Sequence, residues 1–169
     1  MAEEIVNKVA NSGLINIDLS DYYSKGKRMH LDIQPWLFQG LILKEKDFRQ
    51  YLKDHDWSQY QDAYVSVNCS ADAIIPQWAY MLIGTQLQDF AAKVCIGNSE
   101  VLEGQIMEEN ISKIDMSQYQ DKRVIIKGCG DLPIPSQAYL SFAAKLKPFA
   151  KSIMFGEACS MVPIFKNKS

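Results

Sequence analysis

The feature that most constrains this chain is its resemblance to itself. "WSQYQDAYVSVNCSADAIIPQWAYMLIGTQLQDFAAKVCIGNSE" (57–100) and "MSQYQDKRVIIKGCGDLPIPSQAYLSFAAKLKPFAKSIMFGEAC" (116–159) align without a gap at an offset of 59 residues and share 15 of 44 positions. The shared residues include Ser-Gln-Tyr-Gln-Asp, the Asp72/Asp131 pair, Ile-Pro, Ala-Tyr and the Gly97/Gly156 pair. Periodic self-similarity limits the fold before any local reading does. Two copies are too few for a solenoid, so an internal duplication within a single sheet is expected.

Each copy reads as strand, loop, helix, strand. Strands are predicted over 63–68, 93–97, 123–127 and 152–156. Ala79, Leu82, Ile83, Leu87 and Phe90 form an apolar stripe at helical spacing, and Ala138, Phe142, Leu146 and Phe149 form its counterpart. Pro76 and Pro135 mark the helix starts, where a missing N–H costs nothing. "SEVLEGQIMEENISKID" predicts a third helix, with Leu102, Ile106, Met107, Ile111 and Ile114 inward. The alternation predicts an α/β protein with a mainly parallel sheet built from a duplicated βαβ unit. The four repeat strands are expected in the order 2-1-3-4, with an edge strand at 162–166. The whole of 1–169 is expected to be a single domain.

Residues 1–56 read as an N-terminal appendage. "GLINIDL" and "KRMHLDI" alternate as strands and are expected to pair as a β-hairpin. That hairpin would cover the sheet edge or make a homodimer contact. "KEKDFRQYLKDHD" predicts a helix, with Phe48, Tyr51 and Leu52 inward.

Composition excludes some function classes. A net charge of −2 gives no electrostatic case for nucleic acid or an anionic membrane. No apolar run approaches the roughly 20 residues that span a bilayer. The start, "MAEEIVNKVANSG", lacks a signal peptide's apolar stretch, so a cytoplasmic location is expected. There the four cysteines stay reduced, which favours metal or thiol chemistry over disulfides. No P-loop, dinucleotide fingerprint, HExxH or serine-hydrolase elbow occurs.

Cys69 and Cys129 follow the first strands of the two copies, and Cys159 follows the second strand of copy two. In one parallel sheet all three would lie on the carboxyl rim, where open α/β sheets bind ligands. Three thiolates suit zinc, which takes sulfur at about 2.3 Å and usually four ligands. The fourth-ligand candidates are Asp72, Asp131, Glu157, Glu100 and, if the hairpin folds over the rim, His30.

Two other readings stand beside zinc. Cys129 lies between glycines just before a helix, where a thiolate is favoured; a thiol enzyme would use it with Asp131 as proton acceptor. Alternatively the cysteines are inert core residues of a protein-interaction module. Cys95 lies in a strand and is expected in the core. His55, in "KDHDW", is expected in a solvent-facing loop.

"WLFQGLILKEKDFRQYLKDHDWSQYQD", "CSADAIIPQWAYML", "IKGCGDLPIPSQAY" and "KSIMFGEACSMVPIFK" together resemble an uncharacterised bacterial family, domain of unknown function family 2480. The resemblance implies a single-domain cytoplasmic protein. It implies no reaction, substrate or small-molecule ligand.

Overall fold

The structure is a computed structural model and describes residues 13–128, 130–157 and 160–167. Four α-helices and seven strands occur among these residues. The strands are β1 (Leu14–Ile17), β2 (Arg28–Asp32), β3 (Tyr64–Asn68), β4 (Lys93–Ile96), β5 (Arg123–Ile126), β6 (Ser152–Glu157) and β7 (Ser160–Lys166). The helices are α1 (Glu45–Asp54), α2 (Gln77–Leu87), α3 (Ser99–Ser112) and α4 (Ser136–Leu146). The α/β class and the mostly parallel pairing are as expected.

The single sheet is not. The chain forms two sheets, β2-β3-β4 and β1-β5-β6-β7. Every pairing is parallel except that of β6 with β7. The expected order 2-1-3-4 therefore gives way to one sheet per repeat. The physical reason lies in "GLINIDL" and "KRMHLDI". These segments do form strands, but they do not pair as a hairpin. β1 aligns along β5, with Leu14 beside Arg123, and β2 aligns along β3, with Arg28 beside Tyr64. Each takes the free edge of a repeat's leading strand, which the expected order had assigned to the other repeat.

The chain accordingly divides into two compact units. One is continuous, Lys25–Gln105; the other joins Met1–Ser24 to Ile106–Ser169. We call them the inserted and the split unit. Residues 1–56 are thus shared between the two units. In the inserted unit the strand order follows the chain. Successive right-handed crossovers then advance in one direction and leave α1 and α2 on the same face. Phe48 and Leu52 of α1 and Ala79, Ile83 and Leu87 of α2 indeed share one core with Leu31, Val65 and Val67. Tyr51, expected inward, is exposed. In the split unit Met107 and Ile111 of α3 and Phe142 and Leu146 of α4 cover Ile17, Val124, Ile126 and Ile153. Burial of side chains of this size contributes roughly 1.5–3 kcal/mol each.

The most repeated motif, Ser-Gln-Tyr-Gln-Asp, has a structural role. It builds a 3-10 turn, Trp57–Tyr60 in one unit and Met116–Tyr119 in the other. Asp56 and Asp115 cap the turns by accepting from the N–H groups of Ser58 and Ser117, both at 3.0 Å. Tyr60 and Tyr119 are buried. Asp62 and Asp121 leave the turns with φ of 56° and 57°. Their N–H groups donate to the carbonyls of Phe90 and Phe149, both at 2.9 Å. The motif delivers β3 and β5 into their sheets.

Candidate functional site

The carboxyl ends of the central strands are the natural places to look for function, because the longest irregular loops leave there. In the inserted unit, β2 ends on Asp32 and β3 on Asn68. The backbone N–H of Ile33 donates to the Asn68 carbonyl at 2.9 Å, closing the pair. The Asp32 carboxylate then accepts three bonds: from Gln34 N at 3.0 Å, Ser70 N at 2.9 Å and the Ser70 hydroxyl at 2.6 Å. Burial alone would raise its pKa; these hydrogen bonds, with His30 nearby, outweigh it and hold the carboxyl below its ordinary range.

Cys69 lies inside this clamp, between Asn68 and Ser70. It is a free, partly buried thiol. Its neighbour is Tyr80 on α2, whose hydroxyl is pushed to a higher pKa chiefly by burial and further by Cys69. The Asn68 side-chain Oδ1 is buried and has no hydrogen-bond partner among the described residues. Beyond the loop an open groove of about 500 Å³ runs along Leu41, Ile42, Ala73, Ile74 and Pro76, with Asp72 its one charged residue among the described ones. Ile74 is 94% exposed there.

In the split unit the corresponding aspartate is Asp18, just past the end of β1. It accepts from Ser20 N at 2.9 Å and the Ser20 hydroxyl at 2.6 Å, with Lys127 Nζ at 3.9 Å. Those Ser20 bonds hold its pKa down. β5 ends at Ile126, beside Phe155 of β6, which runs on to Glu157. Gly128 follows β5 because no side chain fits: a Cβ there would come within 2.5 Å of Phe155 Cζ. Asp131 is exposed on the segment that leaves β5, and Glu157 is exposed at the last position of β6.

Cys129 and Cys159, two of the three proposed thiolates, lie outside the described residues. By sequence they belong to the split unit, whereas Cys69 belongs to the inserted one. The two-sheet topology removes the single rim on which all three were expected. Among the described strands neither sheet has a topological switch point, since the parallel strands of each follow chain order. His30 is not folded over a rim. It sits in β2, two residues before the strand's end, with Nδ1 2.9 Å from the Ser66 hydroxyl. Glu100 is exposed in the first turn of α3, and Asp72 is exposed in its loop. Among the described residues, no three His, Cys, Asp or Glu side chains gather closely enough to hold a metal ion.

Cys95 is buried, as expected, and burial pushes its thiol pKa up. His55 departs from expectation. It is half-buried against Trp36, Trp57 and Tyr60, with ring centroids 5.2, 4.7 and 5.7 Å away. The sequence reading missed Asp32, Ser70 and Asn68. The available signal was the repeated "NIDL" and "HLDI": an aspartate where an alternating strand stops.

The fold and its rims define an α/β protein of two units, each with βαβ crossovers beneath an aspartate-anchored strand end. No helix among the described residues is long and apolar enough to cross a membrane. Over residues 3–167 the chain matches the family described as "Protein of unknown function (DUF2480)", and it belongs to that family. No curated protein and no solved structure matches it.

Proposed function

We propose that this protein binds a metal ion, zinc, through cysteine thiolates at the carboxyl rim of the split unit. The supporting observation is the parallel pairing that ends with Ile126 beside Phe155. Cys129 and Asp131 follow β5 in the chain, and Cys159 follows Glu157, the last residue of β6. Adjacent strands are about 4.8 Å apart, a spacing that side chains from both segments can bridge. Two thiolates and a carboxylate are a donor set that zinc accepts, and they leave a fourth position for water. In the inserted unit Cys69 aligns with Gly128, one residue before Cys129 at the 59-residue offset.

Elemental analysis of protein purified without an affinity tag or chelator tests the reading. The expected content is about one zinc per chain. Cys129→Ser and Cys159→Ser should each remove most of it, and Cys69→Ser shows whether that thiolate takes part. Iodoacetamide labelling supplies an independent check. Metal-held thiolates label slowly until a chelator is added. Rapid labelling of Cys129 without chelator, in metal-free protein, overturns the zinc reading in favour of a reactive thiol. Slow labelling under both conditions, with no zinc taken up, leaves the cysteines as packing residues.

A further inference from the structure

At the opposite end of the split unit's sheet, β5, β6 and β7 border a cavity of about 390 Å³. Among the described residues its charged lining is entirely basic: Arg123, Lys151 and Lys166. Among the described residues no carboxylate lines it. None of the three cations is ion-paired among the described residues. Met154, Pro163 and Phe165 give it an apolar wall, and Ser152 and Asn167 add neutral hydrogen-bonding groups.

The sheet register explains the convergence. Arg123 aligns with Ser152, and Ser152 aligns with Lys166, so the three form one row across three strands. Aligned neighbours share a face of the sheet, which places both cationic side chains on the same side. Met154 and Pro163 form a neighbouring pair on β6 and β7. Between these pairs the register slips, at Ile153/Met154, so the two strands part from regular pairing beside the cavity. Three like charges around one cavity repel each other, and a multiply charged anion relieves that repulsion. A carboxylate offers two oxygens and one charge. A phosphate monoester offers three oxygens and close to two charges, which suits a guanidinium fork flanked by two ammonium groups. The volume exceeds what a bare phosphate fills and falls in the range of small-ligand sites. The apolar wall needs a carbon body to cover it.

We propose that this cavity binds a small organic phosphate: its dianionic head meets Arg123, Lys151 and Lys166, and its apolar body lies on Met154 and Pro163. The site is separate from the cysteine rim and does not depend on a metal there.

Titration calorimetry on the full chain at low salt, with phenyl phosphate, inorganic phosphate and benzyl alcohol as probes, tests it. Phenyl phosphate should bind saturably and about tenfold more tightly than inorganic phosphate. Benzyl alcohol should not bind saturably. Arg123→Gln and Lys166→Gln should each weaken phenyl phosphate about tenfold. Both side chains are exposed, so the thermal midpoint of each variant should match the parent. Raising the salt should weaken binding further, whereas Cys129→Ser should leave it unchanged. Equal affinity for phenyl and inorganic phosphate overturns the organic ligand. No saturable binding of phenyl phosphate at millimolar concentration, or full retention in the Arg123→Gln/Lys166→Gln double variant, overturns the site.

Discussion

The carboxylate of Asp32 grips Ser70 twice, taking the backbone N–H on Oδ1 at 2.9 Å and the hydroxyl on Oδ2 at 2.6 Å. The last residue of β2 thereby fixes the loop that leaves β3, directly beside Cys69. Asp32→Ala removes both bonds and the one from Gln34 N. It should cost roughly 1–3 kcal/mol in urea unfolding, the usual range for charge-assisted bonds. The folded-state pKa of Asp32 is depressed. Its contribution is therefore fully present above the unfolded value near 4 and is lost as pH falls through the folded one. Asp32→Asn should flatten that acid limb. An unchanged limb would show that the clamp adds no pH-linked stability.

His55 should produce a second pH dependence, at higher pH. Burial among Trp36, Trp57 and Tyr60 lowers its pKa, and Asp56 only partly offsets this. The unfolded chain then takes up the proton first, so stability is complete above the unfolded value near 6.5 and declines as pH falls through the folded one. Comparing parent with His55→Gln between pH 7.5 and 5 should show a decline in the parent that the variant lacks. Parallel curves would mean that the ring titrates as it does in water.

Glycine-to-alanine changes on either side of Cys129 should behave differently. At Gly128 the new Cβ meets the Phe155 ring at 2.5 Å, and that ring packs edge-on against Tyr139 at 5.6 Å. Gly128→Ala should cost about 1–3 kcal/mol, as overpacking usually does. At Gly130 none of the described residues lies within 4 Å of an added Cβ, so Gly130→Ala should be neutral or slightly stabilising. Thermal unfolding of the pair provides the measurement, and equal midpoints would refute the close approach.

The two 3-10 turns offer a symmetric test. Asp62 and Asp121 hold positive φ, which glycine adopts without strain. Asp62→Gly and Asp121→Gly should each raise stability by about 0.3–1 kcal/mol. A loss at either position would mean that its carboxylate does more than leave the turn.

Much of the local structure was legible because local signals sufficed. The stripe Ala79, Ile83, Leu87 and its counterpart Ala138, Phe142, Leu146 marked α2 and α4 and their buried faces. Equivalent elements begin 59 residues apart, from the 3-10 turns through β4 and β6. Strand partnership was not legible. Nothing within "LINI" says that it pairs with "RVII" rather than with the nearer "RMHLD"; alternation sets which face is buried, not which neighbour is chosen. The candidate site suffered from the same gap. Asp32 acts on Ser70 across two strands, so its role appears only once β2 lies beside β3. His55 read as solvent-facing because Trp36, which covers it, comes from a distant segment.

The insertion of one unit within the other has a consequence for synthesis. Lys25–Gln105 emerges from the ribosome as an uninterrupted stretch and can fold as it arrives. β1 emerges before it and must wait for β5, since Leu14 has no strand partner until Arg123 is made. During that interval the nascent chain carries a finished body with a bare strand trailing from its front. Such an unpaired edge is open to any other strand in reach, so the vulnerable interval in this protein's life lies between the synthesis of β1 and that of β5.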